Sequence, residues 1–437
     1  MRRSILTCTS LGLALALSGC AGSADESPQK SSEQPVPTAE TTTEAPIAKT
    51  ADPPTVFEAS APVSLPANAL SGNMAGEVVS RFTTLHDRTA YIIEPTRLTA
   101  VDVLTGEQQW QTKIEGVPAD PNAQSGPYVN TDGPRPPFVS ADGSTVVAAV
   151  PVAEPGKGTT PGHQALAIMA VDAKSGEKTW ETKVKISEAV AGTGGQGATT
   201  EVVAATDKVV VATYRNEEAM TVAIDPATQK PLWQRDAYQA GTVQGDIVIG
   251  VDSNVAENSS MSQATALALA TGEQKWVGAL RASNVKIYPA GPSLVAIDST
   301  DYGSGDPALF FLDPATGQEK TKLTHKAGFT PTLYGDCDYD DQSILICVAN
   351  GVLTAHDSTG KTLWTLPDAA ANRTAPTVTV AWHGAVYGKT QNGPVVLDAK
   401  TGKDLSTEPG ITPHWVSKYA AITIDKEGAP NSYPVVK

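Results

Sequence analysis

Along residues 85–406, short runs of apolar and β-branched residues recur between polar turns at a nearly regular spacing. TAYII (89–93), TVVAAV (145–150), KVVVAT (208–213), DIVIGV (246–251), SLVAI (293–297), SILICV (343–348) and GAVYG (384–388) each have the composition of a buried strand. Downstream of each comes a second pattern: VDVLTGEQQW (101–110), VDAKSGEKTW (171–180), IDPATQKPLW (224–233), LALATGEQKW (267–276), LDPATGQEKT (312–321), HDSTGKTLW (356–364) and LDAKTGKDLS (397–406). The turn Gly, or the Gln that replaces it, falls at 106, 176, 229, 272, 317, 360 and 402, at intervals of 70, 53, 43, 45, 43 and 42. A period in the low forties built from short strands predicts an all-β repeat fold, a propeller or a solenoid. Each unit reads strand, loop, strand, Asp-x-x-Thr-Gly turn, strand, with a less regular strand completing four. The Asp accepts backbone N–H groups across the turn, and the Gly takes a left-handed conformation that side chains disfavour.

A Trp stands four positions after the turn residue in five units: Trp110, Trp180, Trp233, Trp276 and Trp364. Two residues before the turn Asp, or its equivalent, the same units carry Ala100, Ala170, Ala223, Ala266 and Ala355. The other two have Thr321 and Ser406 in place of Trp, with Phe311 and Val396 in place of Ala. Large and small exchange together, which predicts that the two positions share one packed volume.

Ala-x-Asp-x-x-Thr-Gly-x-x-x-Trp resembles the repeat of pyrroloquinoline-quinone (PQQ)-like propellers. That group includes quinoprotein alcohol dehydrogenases and the propeller lipoprotein of the outer-membrane β-barrel assembly machinery. The resemblance implies that the five Trp residues dock neighbouring blades, usually in a ring of eight. WVSKYAAITI (415–424) and SYPVVK (432–437) follow the last motif, while TVFEASAPVSL (55–65) and GEVVSRFTTL (76–85) precede the first. They are expected to pair into an eighth four-stranded blade that closes the ring and removes its open edges, with seven blades as the fallback.

Ahead of the repeats, residues 1–19 read as a leader, with Arg2 and Arg3 before an apolar stretch too short to span a bilayer. Leu17-Ser18-Gly19-Cys20 resembles the lipobox of bacterial lipoproteins, which implies a diacylated Cys20 anchoring the chain at the outer face of the cell membrane. A plain secretory leader is the alternative, and export by either the general or the twin-arginine route fits Arg2-Arg3. Residues 20–56 are rich in Ser, Thr, Pro and Glu and suit a flexible tether. The propeller is then expected over 57–437. Cys337 and Cys347 remain after the leader and anchor, and an even pair in an exported chain predicts a disulfide.

The formal charge is −15, or −17 once Arg2 and Arg3 leave with the leader. Nucleic acid and anionic headgroups are therefore poor partners. No metalloprotease, serine-hydrolase or P-loop motif occurs. The quinoprotein enzymes add adjacent cysteines beside PQQ, and a calcium; this chain has no adjacent pair. Asp336, Asp338, Asp340 and Asp341 have spacing compatible with calcium but lack the Gly and Glu of an EF-hand, so a hairpin tip is the simpler reading. His356 stands where sister units have Val or Ile, which points to a core substitution rather than a ligand.

The two long intervals place extra chain in units two and three, at 116–138, 151–164 and 189–200. Insertions in repeat folds map to loops and often to the binding face. Tyr128, Arg135, Phe138, Lys157 and His163 are the candidate partner contacts, against the alternative of idle solvated loops. The resulting expectation is a monomeric, membrane-tethered extracytoplasmic scaffold without catalytic activity. Its partner would be a protein, a peptide or an envelope polymer. The alternatives are a PQQ-dependent dehydrogenase and a subunit of an envelope assembly machine.

Overall fold

In the computed structural model the chain divides into two units, Met1–Ile47 and Ala48–Lys437. The described residues are those from 48 to 437, apart from 66–70, 73–78, 81–82, 95, 120–134, 192–197, 217, 255–260, 283, 301–307, 325–336, 350 and 426–428. Cys20, Tyr128 and Asp336 therefore lie outside them.

The repeats fold into eight antiparallel sheets arranged as the blades of a propeller, seven of four strands and one of five. Blade 1 runs Thr83–His86, Thr89–Glu94, Arg97–Asp102 and Gln108–Lys113 from the inside outward. Blade 2 has Phe138–Val139 and Val117–Pro118 side by side along one edge, then Thr145–Glu154, His163–Asp172 and Lys178–Lys185. Blades 3 to 7 begin at Thr199–Ala205, Tyr238–Gln244, Asn284–Pro289, Cys337–Tyr339 and Thr377–Trp382. Each of these first strands adjoins the next, and that of blade 8, Trp415–Val416, adjoins that of blade 1, so the circle closes.

Blade 8 has the two-terminus construction expected from the sequence. Trp415–Val416, Ala420–Ile424 and Pro430–Pro434 take their fourth strand from Val63–Ser64, with Val63 opposite Ser432. GEVVSRFTTL does not join this blade. Val79–Ser80 pairs with Ser71–Gly72, and Thr83 opens the first strand of blade 1. Contacts with the ring also begin before the expected start at 57: Ala51 N–H donates to the Lys418 carbonyl, and Thr55 and Val56 N–H to that of Lys437.

There is no single core. Apolar residues form a layer between every adjoining pair of blades. Val147, Leu166, Val202 and Tyr214 fill the space between blades 2 and 3, and Ala90, Ile92, Ala420 and Ile422 that between blades 8 and 1. This is why the repeat strands are apolar on both faces, since each sheet is covered on both sides.

The repeat turns behave alike. The Asp102 carboxylate accepts the Leu104 and Thr105 N–H groups, at 2.8 and 3.2 Å, and Gly106 N–H donates to the Asp102 carbonyl at 2.8 Å. The Ser175, Thr228 and Thr316 hydroxyls hold the corresponding Asp172, Asp225 and Asp313 carboxyls below the usual range.

Four of the five indoles donate to the next blade. Trp110 reaches the Ala173 carbonyl at 3.0 Å; Trp233, Trp276 and Trp364 reach those of Leu269, Pro314 and Ala399 at 2.8 Å. Each acceptor lies three residues before a turn Gly, and each ring covers that Gly. A Cβ on Gly176 would fall 2.5 Å from Trp110 Cδ2. The Ala and Trp positions are direct cross-strand partners, as in Ala100–Trp110 and Ala266–Trp276. In blade 5 the pair is Phe311–Thr321, and Phe311 itself reaches across to Gly360, where a Cβ would meet its ring at 2.8 Å. At the seam the Ser64 carbonyl and the Val63 side chain do the same for Gly106. Trp180 differs: the next turn carries Gln229, at φ +58°, and the Trp180 indole makes no hydrogen bond among the described residues.

Cys337 and Cys347 are directly paired across the first two strands of blade 6 and form a disulfide, with 2.06 Å between the sulfurs. His356 is buried, its ring nitrogens 2.9 Å from the Thr354 hydroxyl and 3.3 Å from that of Thr362.

Candidate functional site

Two regions exceed what ring closure needs, and strand direction separates them. First strands run toward the turn that leads into the second strand, so those inner turns share an end with the Asp-x-x-Thr-Gly turns. Hairpins between second and third strands, and the links between blades, lie at the other end. The described parts of all three insertions therefore belong to that second end.

The middle insertion is not a loop. Thr145–Glu154 and His163–Asp172 pair over ten residues, where the matching strands of blade 1 have six, and 155–162 form the turn. Val152 stays buried beside Val117–Pro118, which pairs with Val152–Ala153, so apolar cover continues past the ring and the strands continue with it. A Lys183–Glu154 ion pair of 2.5 Å braces the outer edge. Lys157 and His163 are exposed at the tip.

The remaining candidates are placed elsewhere. Arg135 is half-buried, and its N–H donates to the Thr200 carbonyl at 2.7 Å. Burial raises the carboxyl of adjacent Glu201, and the Arg135 charge opposes that rise. Phe138 pairs with Val147, well down the strand from the tip, and lines a cavity on the inner turns. The expected five-residue surface thus resolves into Lys157 and His163 at the tip, Arg135 beside blade 3, and Phe138 toward the opposite end.

That cavity, of about 510 Å³ and open to solvent on one side, is lined by blades 1, 2, 6, 7 and 8 and by Asp52 of the entering segment. His383 Nδ1 and Asp52 Oδ1 are 2.6 Å apart, and the His383 ring stacks on Trp382 at 3.8 Å with 5° between planes. Lys418 Nζ pairs with Asp87 Oδ1 at 2.8 Å, and the Ser417 hydroxyl donates to the Asp87 carbonyl at 2.6 Å. Asp341 opens onto the cavity, where its surface is exposed although protein atoms crowd around it. Burial pushes its carboxyl above the usual range, the His383 charge opposing. Asp87, Asp341 and His383 have φ of +49°, +61° and +46°. Gly143, Gly245 and Gly291 take the left-handed position in the inner turns of blades 2, 4 and 5. No motif pointed to this cavity, whose residues come from six separate stretches. Comparing the inner turns of sister repeats would have marked it, since a residue other than Gly at a left-handed position is uncommon, Asp and His being among the types that tolerate it best.

Asp338 and Asp340 have structural roles. Asp340 Oδ1 accepts the Gln342, Ser343 and Ile344 N–H groups, and its Oδ2 that of Gly384 in blade 7 at 3.1 Å. Asp338 Oδ2 accepts the Ala381 N–H at 2.6 Å. These carboxylates fasten blade 6 to blade 7, and no cluster of three metal-ligating side chains occurs among the described residues. PQQ, a planar tricarboxylate, does not fit the cavity. The lining presents Asp52, Asp87 and Asp341 against Lys418, already paired with Asp87, and the imidazoles of His86 and His383, the latter held by Asp52.

Residues 164–330 match a family model described as outer membrane protein assembly factor BamB. Among solved structures, the computationally designed Ika8 protein is 14% identical with a TM-score of 0.51, covering 85% of this chain and 99% of its own. A europium-containing methanol dehydrogenase is 13% identical at a TM-score of 0.44, with 86% and 84% covered. The Dos1 propeller is 12% identical at 0.46, with 85% and 82% covered. No curated protein matches the sequence. The chain thus carries the PQQ-like repeat in an eight-bladed propeller.

Proposed function

We propose that this protein is a non-catalytic binding scaffold, held by a lipidated Cys20 at the extracytoplasmic face of a membrane. It engages a protein or peptide of the cell envelope through the blade 2 hairpin. One observation carries the reading: Thr145–Glu154 and His163–Asp172 continue as paired strands beyond the ring, with Val117–Pro118 seated on them. Extended pairing keeps Lys157 and His163 on an ordered projection, and preordering lowers the entropy lost on binding. The repeat's characteristic groups are meanwhile occupied, the turn carboxylates by backbone N–H groups and four of the five indoles by carbonyls. The matching family model is named for an assembly factor, which agrees with a binding role. The anchor rests on the leader and on Leu-Ser-Gly-Cys alone.

Site-specific photocrosslinking in intact cells tests this reading. A photoreactive residue at position 157 or 163 of the full-length protein is expected to capture one common partner. Position 359, on an exposed turn at the other end, should not, and removing 155–162 should abolish capture. No reproducible product, or equal capture from 359, overturns it. Saturable PQQ binding with alcohol-dependent dye reduction would instead establish the dehydrogenase alternative.

A further inference from the structure

The cavity on the inner turns lies at the opposite end of the strands from the blade 2 hairpin and has no part in the proposal above. We infer that it binds a cationic group, an alkylammonium or guanidinium carried on an apolar stem. Its volume of about 510 Å³ falls within the range of small-ligand sites, about 300–1,000 Å³. The wall combines an apolar part, with Leu85, Phe138, Val139 and Trp382, and the carboxylates of Asp52, Asp87 and Asp341.

Those three carboxylates are not equivalent. Asp87 is neutralised by Lys418, and Asp52 is joined to His383. Asp341 is exposed to the same space and makes no hydrogen bond or ion pair among the described residues; the His383 ring acts on it only through space. A carboxylate that faces a cavity with no direct ion-pair partner is matched best by a cation brought in by a ligand. Trp382 beside it supplies an aromatic surface, which attracts alkylammonium and guanidinium groups. A net charge of −15 adds attraction for cations at long range. An anion would meet three carboxylates against the Lys418 ammonium, already paired with Asp87, and the imidazoles of His86 and His383, the latter held by Asp52; a neutral apolar ligand covering Asp341 would desolvate it without compensation.

The repeats supply an independent argument. In the inner turns of blades 2, 4 and 5 the left-handed residue is Gly, the least strained choice. In blades 1 and 6 it is Asp87 and Asp341, and in blade 7 His383 takes it together with Gly384; Asp87, Asp341 and His383 all line the cavity. Side chains are present at strained positions where they face this space.

Isothermal titration of the purified protein separates the outcomes. The probes are N-acetyl-lysine methylamide, N-acetyl-arginine methylamide, pentylamine and the neutral N-acetyl-norleucine methylamide. At least one cationic probe is expected to saturate, with the norleucine compound at least tenfold weaker. Asp341→Asn should weaken the cationic probe by about fivefold or more, the size expected when one partner of an accessible charge pair is removed. Asn accepts a left-handed backbone, so an unchanged melting temperature shows that the variant folds. Binding by pentylamine assigns the site to free amines, and binding by the amino-acid derivatives alone to basic side chains of a peptide. No saturation by any cationic probe, equal binding of norleucine, or unchanged affinity in Asp341→Asn overturns the inference. Loss of photocrosslinking at 157 and 163 would leave these results untouched.

Discussion

Blade 1 meets blade 2, and blade 2 meets blade 3, through the same sequence motif with different results. At the first junction the Trp110 ring lies on Gly176 and donates to the Ala173 carbonyl, to which the Tyr91 hydroxyl also points at 3.4 Å. At the second, Trp180 packs beside the apolar layer, but Gln229 occupies the position where the other turns have Gly. The Thr182 hydroxyl donates to the Gln229 carbonyl at 2.9 Å, and the indole makes no hydrogen bond among the described residues. The difference shows that the docking site has two halves, an indole and a turn without a Cβ. A repeat can conserve its pattern while losing one half.

The largest expected effect separates the two junctions directly. Trp110→Ala should destabilise by about 3–5 kcal/mol, as for removal of a large buried aromatic. Trp180→Ala should be milder by at least about 1 kcal/mol, since that indole is half-buried and has no hydrogen bond to lose. Denaturant midpoints of the two variants measure the gap, and equal losses would show that the turn Gly contributes nothing to docking.

Blade 5 sharpens the comparison by using a different residue for the same seat. Phe311 covers Gly360 from the strand next to the one that bears Trp elsewhere. Thr321→Trp alone should overpack and destabilise by about 1–3 kcal/mol. Phe311→Ala alone should lose about 3–5 kcal/mol. The double variant restores the Ala–Trp pair and should recover part of both losses, giving a favourable coupling of about 1–3 kcal/mol in a double-mutant cycle. Additive losses would mean that the two side chains do not share one volume.

Much of this architecture is legible because the same local problem is solved repeatedly. Asp-x-x-Thr-Gly marks each turn between third and fourth strands, so the motif counts the blades whose outer hairpin is continuous chain. Blade 8 has no such motif because its outer strand, Val63–Ser64, comes from the other end of the chain. It was readable only as leftover strand-like segments. The blade 2 insertion was legible in place but not in form. Pro, Gly and Thr at 155–162 suggested a loop throughout, whereas burial of Val152 and Ala165 continues the strands almost to its tip. The inner-turn cavity was not legible. Asp87, Asp341 and His383 are ordinary turn residues one at a time, and closure of the ring, which no single repeat encodes, brings them together.

The smallest effect runs in the opposite direction. Gln229→Gly gives the blade 2–3 junction the turn residue present in blades 1, 2, 4, 5, 6 and 7. It relieves a left-handed Gln, worth roughly 1–2 kcal/mol, against about 0.5–1 kcal/mol of backbone entropy that a Gly loses on folding. At the four docked junctions the indole acceptor lies three residues before the turn Gly, which selects the Pro226 carbonyl here. With the Cβ gone, Trp180 Nε1 should reach that carbonyl, adding about 1 kcal/mol. The expected net gain is about 1–2.5 kcal/mol in unfolding free energy, together with slower hydrogen exchange at the Trp180 indole. A gain in stability with unchanged indole exchange would assign the benefit to backbone strain alone. If both observables stay at their wild-type values, the seat depends on more of the turn than its one missing Cβ.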